Sequence, residues 1–208
     1  QQINLLTGEN TNLPLPVKSP IAVEGGTGKS GNLIYIQSRF GRENQEINGG
    51  MYVSSDKCKS WKQINEGLFD GISWGKVPAF RQGLAVCSSK PEVAYISAIV
   101  PVTRNDGKTE EIYSIFKTEN GGDNWNPVLL SSSQSGYISN NFSGSWMEKS
   151  FDPGWGGAPI DLGVAPGNPD VCYAGDNGRG YKTTDGGKTW EQVYSYNNHD
   201  GSYSNTGL

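Results

Sequence analysis

An eight-residue segment that ends in tryptophan occurs three times in the sequence, and this repeat constrains the fold more than any other feature. The copies are SSDKCKSW (54–61), TENGGDNW (118–125) and TTDGGKTW (183–190). Their closing tryptophans, Trp61, Trp125 and Trp190, are 64 and 65 residues apart. A nearly constant period indicates that one structural unit is repeated along the chain, and that neighbouring copies bury their apolar faces against each other.

Each copy follows a short β-prone stretch and has the composition of a tight turn between two strands. Asp185 can accept backbone N–H bonds across the turn, while Gly186 and Gly187 can adopt the positive φ angles that such turns require. Asp56 and Asn120 occupy the equivalent position in the first two copies. The tryptophan then opens the next strand, where its ring can be buried against the neighbouring repeat. The aspartate is therefore predicted to hold the turn together.

The pattern Ser/Thr-x-Asp-x-Gly-x-Thr-Trp resembles the Asp-box, or BNR repeat, of β-propellers. The third copy matches at every defined position, whereas the first has Cys58 and Ser60, and the second Asn120 and Asn124, at two of them. Such boxes occur in sialidases, xyloglucanase-like glycoside hydrolases, sortilin-type receptors and photosystem assembly factors. The resemblance implies an all-β fold, a β-propeller of four-stranded antiparallel blades. The structural residues of the boxes are then Asp56, Trp61, Asn120, Trp125, Asp185 and Trp190.

Strand and turn patterns divide the chain into about three blades. The predicted units are an N-terminal segment (1–18), blade 1 (19–66), blade 2 with its preceding loop (67–131), blade 3 with a long aromatic loop (132–195) and the start of another blade (196–208). The segments 84–93 and 162–171 align, which indicates the same hairpin in blades 2 and 3. Because propellers close with about four to eight blades, we expect further blades or a partner chain to complete the ring.

Composition argues against several other classes. The 208 residues include 29 glycines, 11 prolines and 34% hydrophobic residues, which suits short strands and turns. A net charge of −4 argues against nucleic acid as a partner. The longest apolar run, residues 93–102, is about half of what a membrane span needs, so none is expected. The three cysteines lack metal-binding spacing, and GGTGKS (25–30) lacks the first glycine of a P-loop, so no metal or cofactor is predicted.

The three tryptophans outside the boxes, Trp74, Trp146 and Trp155, all fall in loops that lead from the last strand of one blade to the first strand of the next. Tyr137 lies in the same long segment as Trp146 and Trp155. Aromatic rings among amides and hydroxyls suit a sugar-binding groove, because the C–H faces of sugars stack on them. Alternatively, these rings cap the blade ends as small hydrophobic clusters. Arg81, at the head of a first strand, is a further candidate for substrate binding.

Glycoside hydrolysis requires two carboxylates about 5 to 10 Å apart. Asp161, at the head of the third blade's first strand, and Asp152, in the loop before it, are the candidate catalytic residues, although a turn before Pro153 also explains Asp152. The early Arg-Ile-Pro motif of sialidases is absent, so the resemblance does not extend to their arginine triad. Xyloglucanase-like enzymes resemble two tandem propellers that each supply an aspartate, which leaves any pair in this chain incomplete.

Two functions remain open at this stage. The first is a segment of an extracellular Asp-box propeller that binds or processes glycans, with carbohydrate as its partner and glycoside hydrolysis as its reaction if it is an enzyme. The second is a non-catalytic scaffold that binds protein through the same face. The chain begins Gln1-Gln2-Ile3 with no signal peptide, which fits a processed secreted product or an excised segment equally well. A secreted, periplasmic or cell-surface location is therefore expected mainly from the resemblance.

Overall fold

A computed structural model of the protein describes residues 2–3, 10–17, 20–29, 31–38, 50–68, 83–103, 109–130, 161–176 and 179–195. Over these ranges the protein is all-β and contains no helix. The strands are β1 Gln2–Ile3, β2 Asn10–Thr11, β3 Pro20–Gly28, β4 Gly31–Ser38, β5 Met51–Ser54, β6 Lys62–Gln63, β7 Leu84–Val86, β8 Ala94–Thr103, β9 Thr109–Thr118, β10 Asn126–Leu130, β11 Asp161–Ala165, β12 Asn168–Asp176, β13 Arg179–Thr183 and β14 Glu191–Ser195.

Three four-stranded antiparallel sheets follow one another along the chain, which agrees with the predicted order of strands. The first sheet is β3-β4-β5-β6, the second β7-β8-β9-β10 and the third β11-β12-β13-β14, so each strand pairs with its neighbours in sequence. In the N-terminal segment, β1 and β2 form a separate two-stranded sheet. The number of blades in a complete ring is not given by these sheets and stays a prediction.

The ends of the strands add two details to this arrangement. The pairing of β8 with β9 runs over the full length of both strands, from Ala94 with Thr118 to Thr103 with Thr109. The tryptophans also lie just before β6, β10 and β14 instead of beginning them. For Trp125 the backbone gives the reason, because Trp125 N donates to Glu66 O (3.0 Å) outside its own sheet and the pairing with β9 starts at Asn126.

The sheets are arranged like a fan that is narrow at the first strands. Strand β7 lies beside both β3 and β11. The turns after the first strands are also joined, since Thr27 N donates to Ser88 O (2.8 Å) and Ser89 N donates to Pro166 O (3.1 Å). The three first strands are therefore side by side, and the later strands of each sheet lie farther out.

Two apolar clusters fill the spaces between consecutive sheets. Between the first and second sheets the buried residues include Tyr35, Met51, Ile64, Ile96 and Trp125. Between the second and third they include Cys87, Tyr95, Leu129, Tyr181 and Trp190. Each box tryptophan of the second and third sheets is thus part of a core shared with the preceding sheet, which is where burial of its large ring contributes most.

Antiparallel pairing gives the fan two distinct faces. The turns that join first to second strands and third to fourth strands lie together, and we call this the box face because it holds the three eight-residue turns. The first strands begin at the opposite end, which we call the return face. Residues 69–82 and 131–160 attach to strand ends on the return face.

Candidate functional site

The third box turn is closed by hydrogen bonds among four residues. Thr183 Oγ1 donates to Asp185 Oδ1 (2.8 Å) and accepts from Gly187 N (2.8 Å). Thr189 donates twice to the same carboxylate, through its backbone N to Oδ1 (2.9 Å) and through Oγ1 to Oδ2 (2.6 Å). Both carboxylate oxygens are therefore occupied by partners within the turn, and Asp185 is positioned to hold the backbone and not to face a ligand.

The first turn has the same bonds although two of its residues differ. Ser54 Oγ accepts from Cys58 N (2.9 Å), and Ser60 donates through N (2.9 Å) and Oγ (2.6 Å) to the carboxylate of Asp56. Lys57 and Cys58 have φ angles of 63° and 66°. The glycines at these places in the other turns have φ angles of 75° and 92°, so the first turn accepts side chains in a region that disfavours them.

The second turn replaces a carboxylate by an amide and compensates for it. Asn120 Oδ1 accepts from Thr118 Oγ1 (2.9 Å) and from Asn124 N (3.2 Å). Its Nδ2 donates to Asn124 Oδ1 (2.7 Å), which reverses the direction of the bond that Thr189 makes to Asp185. The two departures from the pattern in this turn are thus matched to each other.

Hydrogen bonding lowers the pKa of both box carboxyl groups to about 2. For Asp56 the largest cause is the bond from the Ser60 hydroxyl, followed by the bond from the Ser60 backbone. For Asp185 desolvation is the largest single effect and raises the pKa, but the bonds from Thr189, Thr183 and Lys188 together outweigh it. Bonds that are made to the charged form stabilise that form.

Each box tryptophan donates its indole N–H to a carbonyl outside its own sheet. Trp125 Nε1 donates to Ile64 O (2.8 Å), and Trp190 Nε1 donates to Val128 O (3.0 Å). Both rings are almost fully buried, at 2% and 1% exposure. Trp61 is half-buried, and its Nε1 donates to Pro14 O (2.8 Å). The N-terminal segment therefore supplies to the first sheet the acceptor that a preceding sheet supplies to the others.

A second set of contacts between sheets, which sequence reasoning missed, joins tyrosines to prolines. Tyr35 OH in β4 donates to Pro91 O (2.7 Å), and Tyr95 OH in β8 donates to Pro169 O (2.7 Å). Burial is the largest cause that raises the pKa of both phenols. The sequence did contain a signal for these contacts, because the aligned segments 84–93 and 162–171 have a proline at the same place, Pro91 and Pro169.

Asp161 is the one candidate substrate or catalytic residue that falls among the described residues. It is exposed and is the first residue of β11, so it lies on the return face. The other candidates, Asp152, Trp74, Arg81, Tyr137, Trp146 and Trp155, lie outside the described residues. The structure therefore neither joins nor separates Asp161 and Asp152.

Glu24 in β3 is a carboxylate between first strands that the sequence did not single out. Its Oε2 accepts from Val86 N in β7 at 2.9 Å. Desolvation is the main cause that raises the pKa of Glu24, and the bond from Val86 opposes it. Because Val86 N lies on the edge of the second sheet, this bond satisfies an edge donor and ties β3 to β7.

A cleft of about 440 Å³ opens on the box face between the first and second turns. Its lining residues are Leu33, Val53, Ser55, Ser60, Lys62, Glu92, Glu119, Asn120 and Gly121. The cleft and Asp161 are at opposite ends of the sheets, so this cleft does not belong to the predicted sugar site.

Within the described ranges, no group of three or more potential ligands for a metal ion comes together. No helix of the part that the structure describes has the length and apolar character needed to cross a membrane.

No family model and no curated protein matches the sequence. Solved structures similar to this chain include a GH74 enzyme from Niastella koreensis, with TM-score 0.43 and 18% identity, covering 83% of this chain and 22% of that chain. A GH74 xyloglucanase from Xanthomonas campestris has TM-score 0.48 and 16% identity, with 88% and 24% covered. An ancestral GH74 enzyme has TM-score 0.49 and 17% identity, with 86% and 19% covered. The chain spans about a quarter or less of the length of each of these proteins.

Proposed function

We propose that the chain is a three-blade segment of an Asp-box β-propeller whose return face binds a glycan. One observation carries the proposal: β3, β7 and β11 lie side by side and begin on the same face. In a propeller the first strands surround the centre, so the segments that lead into them converge there. The same box turn at the same place in all three sheets supports a ring built from equivalent blades.

The composition of the segments attached to the return face supports a carbohydrate ligand. Residues 131–160 contain Tyr137, Trp146 and Trp155 among glycine, serine and asparagine, and residues 69–82 contain Trp74 and Arg81. Aromatic rings provide flat surfaces for sugar C–H groups, and the polar side chains provide partners for hydroxyl groups. The extracellular location implied by the resemblance to Asp-box families belongs to this proposal.

A role in hydrolysis is the finer part of the proposal. Asp161 is exposed at the head of β11, where a carboxylate would face a ligand at the centre of the ring. Asp152 is the second candidate within this chain, and a carboxylate from the rest of the molecule is the alternative partner, because the reaction requires two. Asp161→Asn is expected to abolish hydrolysis of a glycan while leaving its binding unchanged.

Glycan-array binding followed by titration calorimetry tests the binding role. Trp155→Ala is expected to weaken binding of the sugar that gives the strongest signal by about tenfold, because a stacked ring contributes about 1.5 kcal/mol. Tyr173→Ala is the matched control, since it removes an exposed aromatic ring that lies in the third sheet and not in the return-face segments. Circular dichroism of both variants shows that the sheets are intact.

An unchanged affinity in Trp155→Ala contradicts a binding groove formed by these rings. Absence of binding to every sugar, combined with capture of a protein ligand that Trp155→Ala weakens, favours the non-catalytic scaffold.

A further inference from the structure

The two boundaries between sheets are built from the same set of contacts. In each, a tyrosine of the second strand donates to a prolyl carbonyl of the next sheet, as Tyr35 does to Pro91 and Tyr95 to Pro169. In each, a carbonyl three residues after one box tryptophan accepts the indole N–H of the next box, as in the pairs Ile64 with Trp125 and Val128 with Trp190. The two boundaries therefore show which groups of the next sheet contact the side of a sheet that faces it. We call this side, which faces the next sheet along the chain, the outward side.

Tyr173 has the position in the third sheet that Tyr35 and Tyr95 have in the others. It pairs with Lys182 across β12 and β13, as Tyr95 pairs with Lys117 and Tyr35 with Val53. Tyr35 and Tyr95 are fully buried, whereas Tyr173 is 49% exposed. None of the described residues accepts a hydrogen bond from its hydroxyl.

Val193 repeats the position of Val128. Both are bulge residues three places after the box tryptophan: Val128 lies between the paired residues Pro127 and Leu129, and Val193 between Gln192 and Tyr194. Val128 lies against the next box, where a Cβ at Gly187 would lie 2.7 Å from its Cβ. Val193 is 49% exposed, which leaves an apolar side chain where the next sheet would pack.

Lys182 completes the comparison. Lys117 lies 5.7 Å from the centroid of the Tyr95 ring, with its Nζ 3.6 Å from Asp170 Oδ1 of the next sheet. Lys182 lies 5.9 Å from the centroid of the Tyr173 ring, and the one carboxylate paired with it among the described residues is Glu191 of its own sheet. Lys182 therefore lies over Tyr173 as Lys117 lies over Tyr95, but among the described residues no carboxylate takes the place that Asp170 has beside Lys117.

We propose that the outward side of the third sheet, with Tyr173, Lys182 and Val193 at its contact points, is a docking surface for a fourth blade of defined chemistry. That blade has a Pro-Asp or Pro-Glu turn between its first two strands and an Asp-box turn that ends in tryptophan. The prolyl carbonyl accepts from Tyr173, the acid pairs with Lys182, and the indole donates to the carbonyl of Val193. This inference concerns the assembly of the ring and holds whether or not the return face binds sugar.

The first sheet of a second copy does not fit these requirements. Its first two strands are joined by Lys29 and Ser30, with no proline. Its box tryptophan, Trp61, already donates its indole N–H to Pro14 O. The occupant is therefore a blade of the type found in the second and third sheets, where Pro91 and Pro169 provide the carbonyl.

The experiment compares Tyr→Phe variants by urea unfolding in two proteins, the 208-residue chain and the same chain with a second copy of residues 131–195 inserted after Ser195. In the original chain, Tyr95→Phe is expected to raise the unfolding constant about fivefold, because it removes a buried hydrogen bond, and Tyr173→Phe is expected to leave it unchanged. In the extended chain, Tyr173→Phe in the first copy is expected to raise the unfolding constant by the same factor of about five. The same substitution in the second copy is the matched control and is expected to have no effect.

Two results of the unfolding experiment overturn the inference. One is that Tyr173→Phe lowers the stability of the original chain as much as Tyr95→Phe does. This would mean that the Tyr173 hydroxyl is already hydrogen-bonded within the chain. The other is an extended chain in which the first-copy and second-copy substitutions do not differ. Sedimentation equilibrium of the original chain tests whether a second copy of the chain occupies this surface instead. A dimer that Val193→Lys dissociates would assign the surface to a second copy and refute the fourth blade.

Discussion

At the scale of single residues, the box turn depends on where hydrogen-bond partners lie and less on which residue supplies them. A serine hydroxyl in the first turn and a threonine hydroxyl in the third bond to carboxylates at the same distance of 2.6 Å. The second turn keeps the geometry with two asparagines by reversing one bond. The backbone demand is stricter, because the two residues after the Asp or Asn have positive φ in all three turns.

Cys58→Gly is expected to stabilise the protein by about 1 kcal/mol, because it relieves a side chain held at positive φ. Thermal and urea unfolding measure the change. Cys58→Ser is the control, since it replaces the thiol but keeps the unfavourable backbone angle, and it is expected to have little effect. A Cys58→Ser variant as stable as Cys58→Gly would show that the thiol and not the angle is responsible.

Stability is expected to fall as the pH is lowered from about 4 towards 2. The carboxyl groups of Asp56 and Asp185 have folded pKa values of about 2, below the unfolded value of 3.8, so their contribution is complete above the unfolded value and is lost as protons bind near pH 2. Urea unfolding at several pH values measures this. The variant Asp56→Asn/Asp185→Asn is expected to be less stable at neutral pH and to lose less stability on acidification. Asn120→Asp, which adds a third carboxylate, is the reverse control and should steepen the acid dependence.

At the scale of strands and sheets, the box tryptophans Trp125 and Trp190 each do two things. The ring of each fills a core shared by two sheets, and the indole N–H of each donates to a carbonyl of the preceding sheet. The first sheet has the N-terminal segment in place of a preceding sheet, so Trp61 is half-buried and bonds to the exposed residue Pro14. The three boxes therefore have similar local geometry and unequal packing.

Trp125→Phe and Trp190→Phe are each expected to destabilise the protein by about 2 kcal/mol, because the carbonyl of Ile64, which is buried, or of Val128, which is partly buried, loses its indole donor. Trp61→Phe is expected to cost less than about 1 kcal/mol, since water replaces the indole at the exposed carbonyl of Pro14. Urea unfolding followed by circular dichroism compares the three variants directly. Equal losses in all three would contradict the role assigned to the neighbouring sheet.

At the scale of the whole molecule, the sheets form a short linear array in which each touches the next. The second sheet is covered on both sides, by the apolar clusters it shares with the first and the third. The third sheet is covered on one side within the described residues, and Tyr173 and Val193 on its other side are half exposed. In such arrays, stability is the sum of the terms within each repeat and the terms between neighbours.

Native-state hydrogen exchange is expected to show this asymmetry. Amides of β12 should exchange faster than the equivalent amides of β8, because the third sheet opens with the loss of one boundary and the second with the loss of two. Mass spectrometry of peptides covering the two strands measures the rates. Equal protection of β8 and β12 would mean that the sheets open together as one cooperative unit.

Much of the architecture was predictable from the sequence. The alternation of strands and the antiparallel order follow from local turn chemistry, and so does the shared geometry of the turns that contain Asp56, Asn120 and Asp185. The positions of the aromatic candidates in residues 69–82 and 131–160 relative to Asp161 stay predictions, because those segments lie outside the described residues.

The sequence by itself determined the structures whose hydrogen bonds are all made within one short segment. An eight-residue turn carries its own donors, acceptors and φ requirements, so three imperfect copies are enough to specify it. Only the tertiary structure decided the contacts between sheets, such as Tyr95 with Pro169 and Trp190 with Val128. Their partners lie 74 and 62 residues away, and no local pattern states which strand face meets which. The physical reason is that these contacts form only when a complete sheet packs against its neighbour. Comparison with the two packed boundaries is also what identifies Tyr173 and Val193 as contact residues.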